Sequence, residues 1–243
     1  MDNEPTRLVS RIMEQDRTEI KVLDNGFVRL DGVHADDLSV VNSARVSFGK
    51  HKQELETEDT KLINFLMREQ HGTPFEHNFF RFHVKAPIFV AREWFRHRIG
   101  WSYNEYSGRY SVINNEYYTP ADEDMRTQVG KPGNYTFEQM EEWDTGIAKA
   151  VLKRAYYNAF DQYDLLLSKN VAKEIARLVI PVGTYTEFYA TTNARALMHF
   201  AELRGHKTAQ KEIQDYSSAM ECFLWDHMPV TYNSFLTNDR KAP

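Results

Sequence analysis

Phe80, Phe82 and Val84 alternate with Arg81, His83 and Lys85, and Pro87 closes the run. A two-residue period sends successive side chains to opposite faces, so this stretch reads as a half-buried strand. Proline lacks the donor that a strand interior needs, yet its fixed φ suits the start of a helix. The chain is therefore expected to pass into a helix over 88–98, with Arg92 and Arg96 one turn apart.

The other elements follow from punctuation and period. Val22 to Leu30 surrounds Asp24-Asn25-Gly26, a hairpin signal because Asn-Gly supplies positive φ angles. Asp36-Asp37 opens a helix that runs through Val40, Val41 and Ala44 towards Phe48. A charged loop over 49–60 precedes a helix from Leu62 to Arg68. Residues 71–77 hold Gly72 and Pro74 and read as a turn. Residues 111–135 read as an irregular connection, after which Thr136, Glu138 and Gln139 open a long helix carrying Ile147, Val151, Ala155 and Phe160. A helix over 172–180 stops at Pro181, and strand character returns over 183–190. Asn193 caps a helix from Ala194 to Leu203 that Gly205 stops, and a last helix covers about 209–228. No repeat, low-complexity tract or linker interrupts 21–243, so one domain is expected, with residues 1–20 as a polar extension.

The charge is −5 over 243 residues, so bulk attraction to nucleic acid is not expected. Any anion site must be a local basic pocket. The lone cysteine, Cys222, excludes an internal disulfide and suits a reducing cytoplasm. The first residues lack a signal-peptide pattern, and no apolar run has the length of a membrane span.

Arg96-His97-Arg98 and Arg109 enclose Ser102, Asn104, Glu105 and Ser107 within one short segment. Arginine's planar fork matches phosphate oxygens, so this density reads as an anion or nucleotide site. A solvated charged face fits poorly, because Trp101, Tyr103, Tyr106 and Tyr110 are interleaved and Gly100 and Gly108 interrupt it. Elsewhere, His71, Glu76 and His77 match no metal spacing, and a structural turn is the better reading. Arg177, on an apolar segment, reads alone as a snorkelling or ion-paired residue. Arg195 and His199 share one helix face, and Asn193 can cap that helix or present its amide to a ring.

Arg96-His97-Arg98 followed by Asn104-Glu105-Tyr106-Ser107-Gly108-Arg109-Tyr110 resembles the signature of the flavin-dependent thymidylate synthases, and 193–204 supplies a second match. The interval from Arg98 to Ser107 is one residue longer than usual in that family, at or near Gly100 or Trp101. The resemblance implies an α+β domain with a mainly antiparallel sheet flanked by helices, assembled as a homotetramer with shared active sites. It implies reductive methylation of dUMP to dTMP, with FAD as hydride carrier, methylenetetrahydrofolate as carbon donor and NADPH as reductant. It places His71, Thr73, Arg96, His97, Arg98, Glu105, Asn193, Arg195 and His199 at the flavin. Glu93, Arg96, Glu105, Ser107, Gly108, Arg109, Arg177 and Arg204 would bind dUMP, with Arg177 reaching its phosphate from another subunit. Glu93 stands where some relatives have glutamine. Arg204 is the catalytic candidate, stabilising negative charge on the uracil as N3 loses its proton. No metal is expected.

A synthase of the other type needs a cysteine thiolate. Cys222 lies among Met220, Phe223, Leu224 and Trp225 with no neighbouring cation in sequence, and reads as a core residue. Two rivals stand beside the synthase reading: a non-catalytic nucleotide or nucleic-acid binding module, and a flavin reductase acting on another substrate.

Overall fold

The aromatic strand lies in the middle of a sheet. In the computed structural model, which describes residues 17–131 and 134–243, the order begins β1 (Glu19–Val22), β2 (Gly26–His34), α1 (Asp37–Arg45), α2 (Thr57–Arg68), α3 (Thr73–Glu76) and β3 (Phe79–Pro87). It continues α4 (Ile88–Trp94), β4 (Trp101–Glu105), β5 (Arg126–Lys131), β6 (Asn134–Gln139), α5 (Glu142–Ser168) and α6 (Lys173–Ala176). It ends β7 (Tyr185–Asn193), α7 (Ala194–Arg204), α8 (Lys211–His227) and α9 (Pro229–Thr237). The main sheet has the order β1-β2-β3-β7-β4, every pair antiparallel, and β5-β6 form a separate hairpin. This is the expected α+β architecture.

The alternation decides which face is covered. Phe80, Phe82, Val84 and Ala86 are fully buried, and Phe82 meets Phe223 of α8 at 5.8 Å between ring centres. On the opposite face Arg81, His83 and Lys85 meet Asp31, Glu187 and Glu116. Tyr216 of α8 donates to the Lys85 carbonyl at 2.7 Å, tying the helix layer to the central strand.

Several boundaries differ from the sequence reading. The β1-β2 turn has its positive φ at Leu23, not at Asn25 or Gly26. Gly26 is required for space: a Cβ there would strike the Tyr216 hydroxyl and lie 2.7 Å from the Val22 carbonyl oxygen. The loop expected over 49–60 ends early, because Glu56 and Asp59 form a reciprocal capping box that starts α2 at Thr57. The helix expected over 88–98 ends at Trp94, and Trp101–Glu105 is an edge strand. The region 111–139 holds the β5-β6 hairpin, so Thr136, Glu138 and Gln139 lie in a strand and the long helix begins at Glu142. The expected helix over 172–180 is one α-turn followed by a 3-10 turn, Arg177–Val179. A further helix, α9, follows Pro229.

Most of the extension expected over 1–20 lies outside the described residues; β1 already includes Glu19 and the buried Ile20. Among the described residues no helix is long and apolar enough to cross a membrane.

Candidate active site

Two helices fix the centre of the site. The first amides of α4, Ile88 and Phe89, donate to the carbonyls of Thr184 and Val182 at 2.9 Å, which docks the helix against the approach to β7. Trp94 is fully buried, 4.8 Å from Phe200 and 5.4 Å from Phe188 between ring centres. That anchor leaves Glu93 on the open side. In α7, Asn193 accepts from the Ala196 amide at 2.8 Å as the predicted cap. Leu197, Phe200 and Ala201 are buried, whereas Arg195, His199 and Arg204 are at least partly exposed.

Arg204 is held at three points. Its Nε donates to His97 Nε2 at 3.0 Å, Nη1 to Glu93 Oε2 at 2.9 Å and Nη2 to the Glu93 carbonyl at 3.1 Å. His97 is 8% exposed. Burial, then Arg204 and His199 nearby, bring its pKa down to about 4, so the ring is neutral. Because Nε2 accepts from a guanidinium, the proton of His97 belongs on Nδ1. Burial pushes the Glu93 carboxyl up; Arg204 opposes the shift and Glu212 adds to it. Glu93, Arg204, Arg92, Arg96 and Gln210 border one cavity of about 650 Å³. The Arg92 and Arg96 side chains have no hydrogen bond or ion pair among the described residues, so the cavity presents two uncommitted cations. The sequence reading paired Arg92 with Arg96 on one helix without assigning it to the site, and it passed over Gln210. The one-turn spacing of Arg92 from Arg96 was the available signal; Gln210 had none.

Of the residues expected at the flavin, His97, Asn193, Arg195 and His199 lie on or against α7, whereas Arg96 borders the Glu93–Arg204 cavity. Gly72, between His71 and Thr73, packs on Arg195: a Cβ there would lie 2.6 Å from Arg195 Cζ. Gly100 has φ +74°, and a Cβ would meet Ala196 Cβ at 2.8 Å and Asn193 Nδ2 at 3.0 Å. His97 and His199 lie 6.1 Å apart between ring centres. Arg195 is tied to Glu76 and to the Pro243 carbonyl, both at 2.6 Å. The Arg98 side chain is exposed. The longer interval between Arg98 and Ser107 leaves β4 intact, since Trp101–Glu105 pairs with β7 without a break.

A second cluster lies beyond the end of β4. Ser107, Gly108 and Arg109 form a tight turn in which the Tyr110 and Ser111 amides both donate to the Ser107 carbonyl at 3.0 Å. A Cβ on Gly108 would sit 3.4 Å from Arg177 Cδ, and Arg109 Nε meets Glu174 Oε2 at 3.2 Å. Arg177 therefore lies beside Gly108 of its own chain. None of these four residues borders the Glu93–Arg204 cavity. Glu105 ends β4 and accepts from the Thr186 hydroxyl at 2.8 Å.

Cys222 is buried, its thiol donates to the Ser218 carbonyl at 3.2 Å, and burial pushes its pKa up to about 11. A cation is nearby after all: Arg17 opposes that rise, but burial outweighs it. Among the described residues no group of three or more His, Cys, Asp or Glu side chains is placed to hold a metal ion.

Residues 30–230 match the family model described as thymidylate synthase complementing protein. A flavin-dependent thymidylate synthase of Thermosipho africanus is 44% identical over 218 residues, covering 90% of this chain and 94% of the relative. The enzyme of that name from Streptomyces avermitilis is 42% identical over 221 residues, covering 86% of this chain and 90% of the relative. Among solved structures, the UMP/dUMP methylase PolB of Streptomyces cacaoi bound with 5-Br dUMP is 41% identical, with a TM-score of 0.84 over 92% of this chain and 100% of that one. Matched over most of its length by the family model and by these relatives, the chain belongs to the family of flavin-dependent thymidylate synthases.

Proposed function

We propose that the protein reductively methylates dUMP to dTMP, using FAD, methylenetetrahydrofolate as carbon donor and NADPH as reductant. The observation that carries the reading is Arg204, fixed by His97 and Glu93 at a cavity whose other cations, Arg92 and Arg96, have no protein partner among the described residues. A guanidinium so placed stabilises negative charge on a pyrimidine ring and raises electron density at the carbon to be alkylated.

The α7 surface suits a flavin. Gly72 and Gly100 are pressed against α7 where any side chain would fill the cradle, and Arg96 and Arg98 offer unengaged forks for a diphosphate. His71, Thr73, Glu105, Asn193, Arg195 and His199 would border it. When bound and reduced, the flavin supplies the hydride, and no cysteine nucleophile is required.

Ser107, Gly108, Arg109 and Arg177 would hold the dUMP phosphate, while Glu93 and Arg204 hold the ring. Since none of Ser107, Gly108, Arg109 and Arg177 borders the Glu93–Arg204 cavity, a complete site would be assembled between subunits, for which a homotetramer is the proposed form. Leu178 is 75% exposed, and Ile175 and Val182 are 53% exposed, so the segment around Arg177 carries apolar surface of the kind a neighbouring copy covers.

Visible absorption of the purified protein, followed by titration with dUMP, tests the reading. Flavin bands that shift on adding dUMP support it. Flavin bands indifferent to dUMP would point to the reductase, and a protein that takes up no added FAD would overturn both. Because PolB is a UMP/dUMP methylase, UMP is the control nucleotide.

A further inference from the structure

Arg204 presents a difficulty that its own contacts create. A guanidinium serves an anionic ring best when its charge is not already neutralised, yet Nη1 lies 2.9 Å from Glu93 Oε2. The Arg204 and Glu93 side chains are only 22% and 28% exposed, so solvent screens the pair weakly. If Glu93 stayed ionised, the ring would meet a cancelled pair.

We propose that Glu93 is the proton acceptor for N3 of the uracil ring, so that Arg204 exchanges one anionic partner for another inside a single cavity. The assignment rests on the dUMP reading above and adds a catalytic role that nothing else gives this residue. In the step, the N3–H bond breaks and its electron pair stays on the ring, delocalised towards O2 and O4. An O–H bond forms on the Glu93 carboxyl. The total charge of the cavity is unchanged, Glu93 becomes a neutral hydrogen-bond partner, and Arg204 faces the ring anion. After alkylation the proton returns to N3 of the product, which restores the Arg204–Glu93 pair.

The surroundings of Glu93 favour the exchange. Burial already raises its pKa, so the protonated form costs less than it would in water. From α7 it faces Arg204, whose other partner, His97 in the turn after α4, is neutral and adds no charge. From α8 the carboxylate of Glu212 raises it further. Arg92 and Arg96 border the same cavity and can stabilise the ring anion once the proton has moved, while Gln210 is uncharged. Oε1 of Glu93 has no hydrogen bond among the described residues, which leaves an acceptor free for the ring.

The test uses the flavin-loaded enzyme, its Glu93→Gln variant and 5-fluoro-dUMP labelled with nitrogen-15 at N3. The fluorine makes the ring proton more acidic without removing it. The nitrogen chemical shift reports whether N3 is ionised, and calorimetry in buffers of different ionisation heat counts protons released. The wild type should bind an ionised ring while releasing about zero protons, because the proton stays on Glu93. Glu93→Gln should either release about one proton per site or leave the ring neutral. A wild-type ring that keeps its N3 proton, or one that ionises with about one proton released, would overturn the assignment even if the variant failed to fold. Absence of nucleotide binding by the wild type would overturn the dUMP reading itself and the assignment with it.

Discussion

Arg204 donates from Nε to Nε2 of His97 at 3.0 Å, a geometry available only to a neutral imidazole with its proton on Nδ1. His97 thus sets where the guanidinium points. Replacing it with phenylalanine leaves a mostly buried guanidinium N–H without an acceptor, a cost of about 1–3 kcal/mol, equivalent to roughly 5- to 160-fold in turnover. His97→Gln keeps a carbonyl oxygen within reach and should recover part of the loss. Steady-state kcat, measured with flavin content per subunit as the control, decides this. A fully active His97→Phe would show that Arg204 needs no such partner.

The same contact links stability to acid. The folded pKa of His97 falls from 6.5 to about 4, so the unfolded chain binds the proton more readily between those values. Stability from this group is fully present above pH 6.5 and is lost as pH falls towards 4, a term of roughly 3 kcal/mol. Urea unfolding across that window should show a steeper decline for the wild type than for His97→Gln. Parallel curves would mean that His97 titrates normally in the folded protein.

Gly100→Ala tests the cradle. The backbone there has φ +74°, a left-handed conformation that costs a non-glycine residue about 1–2 kcal/mol. The added methyl also lies 2.8 Å from Ala196 Cβ and 3.0 Å from Asn193 Nδ2, so it pushes on the cap of α7. The expected result is a lower melting temperature together with weaker FAD retention. Loss of stability with unchanged FAD affinity would separate the turn from the flavin surface.

Which features were legible beforehand follows from their range in sequence. The β3 alternation and the Asn193 cap are local signals, and both took the expected form because period and capping need only neighbouring residues. The Arg-His-Arg triplet was expected to end the helix over 88–98, but that helix ends at Trp94, and the chain turns through Gly100 to reach an edge strand. That strand exists because Trp101–Glu105 pairs with β7, more than eighty residues later, and no local pattern records such a pairing. The hairpin over 126–139 was missed for a related reason: polar two-stranded ribbons carry little hydrophobic period. Gly26 was assigned to a turn conformation, whereas it makes room for Tyr216 on a distant helix. Gln210 entered the cavity through tertiary placement alone.

Cys222→Ser should retain turnover. The thiol is buried, hydrogen-bonded to the Ser218 carbonyl and held up to about pKa 11, all of which suit packing better than attack on a ring. Serine can keep that hydrogen bond, so the expected destabilisation is only about 1 kcal/mol, read as a shift in the urea midpoint. A folded variant without activity would restore a thiolate route.

The separation of Arg204 from Arg177 gives the sharpest test of shared sites. Arg204 borders the Glu93 cavity, whereas Arg177 lies beside Gly108, and the two clusters share no residue. If each working site takes one cluster from one subunit and the second from its neighbour, Arg204→Ala and Arg177→Ala should each abolish turnover alone. Co-expressed in equal amounts and assembled at random, they should regain activity in about a quarter of the sites, those in which both clusters are intact. Were the clusters to act within one chain, every site would lack one arginine or the other, and the mixture would stay as inactive as its components.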